Sequence, residues 1–160
     1  MCLTVHRKAT EAARRLWGRA EYLLVWKRVS RKKGGLVTPF RGARVRPGIV
    51  WANRKRRSRD FCPGEDIYTG IHFRFWRPSW NVREDFYIPA LVHRDEFIAA
   101  DSYLDDFPAN GAAYELWYPP EAVAWAEAEA DNGVYPALRI QADKWRRQYA
   151  AARRARAVLE

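Results

Sequence analysis

The densest chemical signal in the chain is the run Asn53-Arg54-Lys55-Arg56-Arg57-Ser58-Arg59, five cations within seven residues. So many like charges cannot easily be paired locally. Phosphates would relieve their repulsion and release counterions, which gives binding that falls steeply with salt. Arg outnumbers Lys here, and the planar guanidinium suits phosphate and carboxylate oxygens. The ordinary alternative is a solvated loop. Arg31-Lys32-Lys33, ahead of Gly34-Gly35, is a second basic turn. It either lies beside the first or is a hairpin tip kept soluble by charge. A third set, Arg146, Arg147, Arg153, Arg154 and Arg156, flanks an apolar stripe near the C-terminus. A basic helix of this kind lies along a nucleic acid or an acidic protein face, or packs by its aromatic residues and leaves the arginines in water. All three clusters are expected to contact one polyanionic partner: nucleic acid, a nucleoprotein or an acidic protein.

Catalytic residue types are sparse. His72 lies in an alternating strand, where a lone histidine is usually a satisfied polar residue. Thr38, Tyr68 and His72 can converge on one pocket, an arrangement the sequence permits without dictating. Glu115, in a late strand, is the candidate acidic partner of His72. Cys2 becomes N-terminal if Met1 is removed, and an N-terminal cysteine beside its own amine can act as a nucleophile. The Leu-Thr-Val that follows lacks the glycine of N-terminal-nucleophile amidotransferases. Cys2, Cys62, His72 and His93 are the soft metal-ligand candidates, with neither CxxC nor HxxxH spacing among them. No metal and no cofactor is expected.

These residues need elements to position them. Thr10-Glu11-Ala12-Ala13 predicts a helix start with Thr10 as N-cap, and Ala13, Leu16, Trp17, Ala20 and Leu24 share a face. The helix is expected to end near Gly18 to Glu21, because Tyr22 to Val29 is rich in β-branched and aromatic residues and predicts a strand. Short strands are expected at 36–38, 49–52, 67–76, 86–92, 97–100 and 113–118. Pro89 places the fourth of these at an edge or a bulge, and Pro108-Ala109-Asn110-Gly111 predicts a turn. Pro119-Pro120 opens a helix to Ala130, and 140–160 predicts the clearest helix, with Trp145, Tyr149, Ala152, Ala155 and Leu159 as its stripe. Strands in a run without alternating helices favour an α+β domain spanning 1–160, with a mostly antiparallel sheet of about six strands, one N-terminal helix and two C-terminal helices.

Composition narrows the function classes. A chain of 160 residues can bury a core without staples, and 23 aromatic residues are far more than a disordered basic tail carries. Two cysteines exclude a disulfide framework. The start Met1-Cys2-Leu3-Thr4-Val5-His6-Arg7-Lys8 does not resemble a signal peptide, and no run approaches the ~20 apolar residues of a membrane span. A reducing cytoplasm, bacterial or host, is therefore expected. Residues 1–60 hold 18 Lys/Arg against 3 Asp/Glu, residues 61–140 hold 5 against 14, and residues 141–160 hold 6 against 2. This asymmetry points to a polyanion, or else to an acidic segment that covers the basic one within the fold.

Several short motifs add a resemblance. The Met-Cys-Leu start, the strand Val25-Trp26-Lys27-Arg28-Val29, the turn Thr38-Pro39-Phe40 with Gly42 after it, Pro47-Gly48, the strand Gly70-Ile71-His72 and the element Arg94-Asp95-Glu96-Phe97-Ile98-Ala99 occur in this order. Together they resemble a family of small, mostly uncharacterised phage and bacterial proteins, over roughly residues 22–118. That family has a helix-forming segment after its His strand, where this chain has Arg77-Pro78-Ser79-Trp80-Asn81, and the arginine-rich C-terminal helix is an addition. The resemblance implies a phage or mobile-element origin rather than a reaction, and draws attention to His72. With the charge, it leads to the expectation of an accessory protein that binds nucleic acid or a host nucleoprotein and inhibits a bacterial defence system. Two alternatives stand beside it. One is an inhibitor gripping an acidic protein surface. The other is a small enzyme with His72 and Glu115 in one cleft, by loose analogy with ADP-ribosyltransferase-like folds.

Overall fold

The computed structural model describes residues 3–32, 34–39, 42–52, 61–79, 85–103, 106–129 and 133–159. In chain order its elements are β1 (Leu3–Thr4), α1 (Arg7–Trp17), β2 (Tyr22–Lys32), β3 (Gly35–Val37), β4 (Gly48–Trp51), β5 (Asp66–Ile67), β6 (Ile71–Arg74) and β7 (Phe86–His93). A 3-10 turn at Arg94–Glu96 leads to β8 (Phe97–Ala100), β9 (Asn110–Ala113), β10 (Glu115–Tyr118), α2 (Pro120–Ala124), β11 (Gly133–Val134) and α3 (Ala142–Leu159). This is an α+β fold with a large, mostly antiparallel sheet. The described residues hold eleven strands rather than about six. Part of the difference lies in two-residue strands, too short to show a period. Part lies in Gly70, whose φ of +86° breaks the expected strand 67–76 into β5 and β6.

The main sheet runs β4-β10-β7-β2-β6-β9-β8, with β3 added on β2 and β11 pairing β7 in parallel. β9 and β10 stand far apart in this order, yet only Tyr114 separates them in the chain. The path β10-β7-β2-β6-β9 therefore closes on itself, and the segment 110–118 serves as a wall shared by both ends. β7 and β8 pair with that segment in one antiparallel sense, through Leu91↔Trp117 and Phe97↔Ala113, so the chain from 86 to 100 forms a long bent hairpin with it. Closure explains the burial. Every residue of β7, β8, β9 and β10 is buried, so these strands carry no polar alternation.

Several expectations are corrected. Pro89 sits in a central strand, opposite Trp26, and not at an edge. On its other side β7 changes partner, from β11 at Phe86 and Tyr87 to β10 at Leu91, and Pro89 falls in the gap between those pairings. Asn110-Gly111 is strand, not turn. Gly111 is there because Phe73 presses on it: an added Cβ would lie 2.6 Å from the Phe73 ring. The first helix starts earlier than expected, capped by His6, whose Nδ1 accepts the Ala9 N–H at 3.1 Å. The Thr10 hydroxyl instead accepts the N–H of Ala100 at 3.0 Å and pins α1 to β8. The buried stripe of α1 is Ala9, Ala13 and Trp17, while Leu16 is exposed. The Trp17 indole N–H donates to the Val92 carbonyl at 3.1 Å. α2 stops at Ala124 and continues as a π-type turn, Trp125–Glu129.

α3 packs on the sheet through Trp145 and Tyr149, both fully buried. Its expected apolar stripe does not continue to the end. Ala155 and Leu159 are exposed, and Arg153 and Arg156 take the inward positions instead. Among the described residues no helix is long and apolar enough to cross a membrane.

Candidate functional site

The arginines of α3 divide into two faces. Glu115, on β10, is 1% exposed and accepts from four donors. The Tyr149 hydroxyl and Arg153 each reach Oε1 at 2.7 Å, while Arg156 and the Trp51 indole reach Oε2. Arg153 also meets Glu96 at 3.4 Å. Burial pushes the Glu115 carboxyl up, but the hydrogen bonds from Arg156 and Tyr149 and the charge of Arg153 together outweigh it and hold it below the ordinary carboxylate range. Burial and the adjacent carboxylate push the Tyr149 phenol up. Arg153, expected to face a partner, is thus held by the protein's own acids, and Arg156 with it. The reason is spacing: 149, 153 and 156 fall on the same side of α3 as Trp145. Arg146 pairs with Asp143 at 3.2 Å. Arg147 and Arg154, seven residues apart on the outer face, are exposed and form no ion pair with a described residue.

The remaining basic candidates scatter. Arg31 donates to the Ala126 carbonyl at 2.6 Å and lies over the Phe86 ring at 5.0 Å. Lys32 is exposed at the end of β2. Lys33, the run Arg54, Lys55, Arg56, Arg57 and Arg59, and Cys2 lie outside the described residues.

Thr38, Tyr68 and His72 do converge. They line one cavity of about 490 Å³, together with Lys27, Arg44 and Trp51. Each is positioned by its backbone. The turn after β3 is closed by the Gly42 N–H on the Thr38 carbonyl and by the Ala43 N–H on the Thr38 hydroxyl, which fixes Thr38-Pro39 at the cavity wall. Gly70, with positive φ, turns the chain from Tyr68 into β6 so that His72 faces the cavity; a Cβ there would meet Ile98 at 2.9 Å. Lys27 stands mid-strand in β2, 9% exposed, and its ammonium donates to the His72 carbonyl at 2.8 Å. Trp51, 59% exposed, forms a side wall with its indole N–H on Glu115 and the Arg156 guanidinium 5.6 Å from its ring.

A smaller cavity of about 220 Å³ shares Lys27, Pro39 and His72 with the first, so the two form one groove. It adds Arg28, Arg74, Asp101, Tyr103 and Asn110. Arg28 is paired with Asp85, which also accepts from Ser30. Arg74 lies over the Tyr87 ring at 5.7 Å. Asn110 donates to Tyr103 at 2.7 Å and to Asp101, which sets the Tyr103 ring at the rim.

The structure does not bring Glu115 to His72. Glu115 lines neither cavity, and both its oxygens are occupied by donors from α3 and Trp51. His93 is engaged elsewhere, accepting the Asp95 N–H at 3.1 Å, and burial and then Arg153 hold its imidazole below the usual value. Lys27, Arg44 and Trp51 were not among the sequence candidates. Lys27 alone carried a signal, as the first charge in the apolar run Tyr22–Trp26 that opens β2. The chain matches no family model, no curated protein and no solved structure.

Proposed function

We propose that this protein binds nucleic acid, alone or within a nucleoprotein, through the face that carries the two joined cavities. The observation that supports this is the lining of the groove. Lys27, Arg44 and Arg74 stand beside the exposed rings of Trp51, Tyr68 and Tyr103, with Asp101 as the one acid among the described lining residues. Cations that track a backbone, interleaved with rings that stack bases, are the usual means of holding nucleic acid without a sequence code. The basic run Arg54-Lys55-Arg56-Arg57 begins in the chain two residues after Ala52, a lining residue of the larger cavity. Its charge adds to the same reading. Combined with the family resemblance, the reading is that of a phage-type accessory protein acting in a bacterial host cell on nucleic acid or on a nucleoprotein of the defence machinery.

Fluorescence polarisation with labelled oligonucleotides tests it. Affinity should fall by orders of magnitude between about 50 and 200 mM salt, and reversing Arg54, Lys55, Arg56 and Arg57 to Glu should weaken it comparably. Absence of binding at low salt would remove the reading. A bacterial partner captured by the protein and retained after nuclease treatment, in the absence of oligonucleotide binding, would point instead to an acidic protein surface.

A further inference from the structure

We infer that the larger cavity receives a single unstacked nucleotide, so that the ligand of this face is single-stranded rather than duplex nucleic acid. The inference rests on the nucleic-acid reading above and specifies its substrate class. A volume of about 490 Å³ falls within the roughly 300–1,000 Å³ of sites that enclose small molecules. A base paired and stacked within a duplex cannot enter such a recess, whereas a base turned out of a single strand can. The walls suit a base. Trp51 and Tyr68 line the cavity while 59% and 63% exposed, so two flat rings present surface to it, with the Arg156 guanidinium 5.6 Å from the Trp51 ring. Val50 and Ile71 add apolar wall between them, and base–ring stacking tolerates any sequence. The polar groups suit the rest of a nucleotide. Lys27, 9% exposed, brings a recessed cation to the lining, Arg44 brings an exposed one, and Thr38 and His72 add polar side chains. The smaller cavity continues from the same Lys27 and His72 to the exposed ring of Tyr103 and to Arg74, which gives the next nucleotide a place to lie.

The test compares single-stranded and duplex oligonucleotides of the same sequence, roughly 12 nucleotides long, by fluorescence polarisation at low salt, with adenosine 5′-monophosphate as a competitor. Two variants address the cavity. Ala43→Trp fills it from an exposed lining position, and Tyr68→Ala removes a wall ring. Circular dichroism establishes that each is folded, and Tyr68→Ala, an exposed position, carries the test if Ala43→Trp is not. The expected result is preferred binding of the single strand. Each variant should weaken that binding about tenfold, the worth of one lost stack, and narrow the preference for single strand over duplex. A base analogue fluorophore within the strand should be quenched by the wild-type protein and not by Ala43→Trp. Equal affinity for both strand forms, unchanged in either variant, would overturn the inference and leave the nucleic-acid reading standing on charge alone. Binding of the mononucleotide without any oligonucleotide binding would overturn both and make the cavity a site for a free nucleotide.

Discussion

Two groups of cations in this molecule are used in opposite ways. On α3, Arg153 and Arg156 turn inward and meet Glu115, a carboxylate with almost no exposure, so their charge is spent within the fold. In the groove, Lys27 donates to the His72 carbonyl, and Arg44 and Arg74 form no ion pair with a described residue. The first group serves stability, and the second is the one proposed for binding. A count of basic residues cannot separate them. One buried acid, Glu115, decides which arginines of α3 turn inward.

The contrast breaks most visibly at Glu115. Glu115→Ala removes the carboxylate that Arg153, Arg156 and Tyr149 share, and urea unfolding should show a loss of about 3–5 kcal/mol. A loss within the scatter of surface substitutions would show that the cluster is not a buried ion network. Next in size, Arg44→Glu with Arg74→Glu should weaken oligonucleotide binding at least about tenfold by reversing two charges of the proposed binding groove. The melting temperature should stay close to that of the wild type. A large drop in melting temperature with unchanged binding would reverse the assignment.

The pH dependence of stability sharpens the same division. The folded pKa of Glu115 lies below its ordinary value of 4.5, and that of His93 lies below 6.5. A depressed folded pKa means that the unfolded chain binds more protons in the interval between the two values. The stabilisation is therefore complete above the unfolded value and lost as pH falls through the folded one. Thermal melts should show a first decline as pH drops below 6.5 and a second below 4.5, with the second step missing in Glu115→Gln. Melts independent of pH between 7 and 4 would contradict the assigned shifts. The smallest effect belongs to the outer face of α3, where Arg147→Ala and Arg154→Ala should each change stability by less than about 0.5 kcal/mol.

Local chemistry made part of the fold legible. The aromatic and β-branched run from Tyr22 to Val29 forms β2, and Trp145 and Tyr149 anchor α3 as their spacing predicts. What failed depended on neighbours far along the chain. Pro89 signals an edge, yet it is accommodated where β7 changes partners. Asn110-Gly111 signals a turn, yet Phe73 requires glycine in a strand at that point. The convergence of Thr38, Tyr68 and His72 was within reach because each lies beside a turn residue, Pro39 or Gly70, that fixes its backbone. Arg44 and Trp51 carry no such local mark. They reach the cavity only because the Thr38–Ala43 turn and the β4–β10 pairing deliver them there.

Trp51 joins two parts of the molecule that otherwise look separable. The last helix has the form of an appendage fastened to a finished sheet, but the indole that walls the groove is tethered to the same carboxylate that anchors that helix. The appendage is therefore a buttress. A shorter relative ending before residue 142 would have to brace this tryptophan by other means or present a groove of another shape.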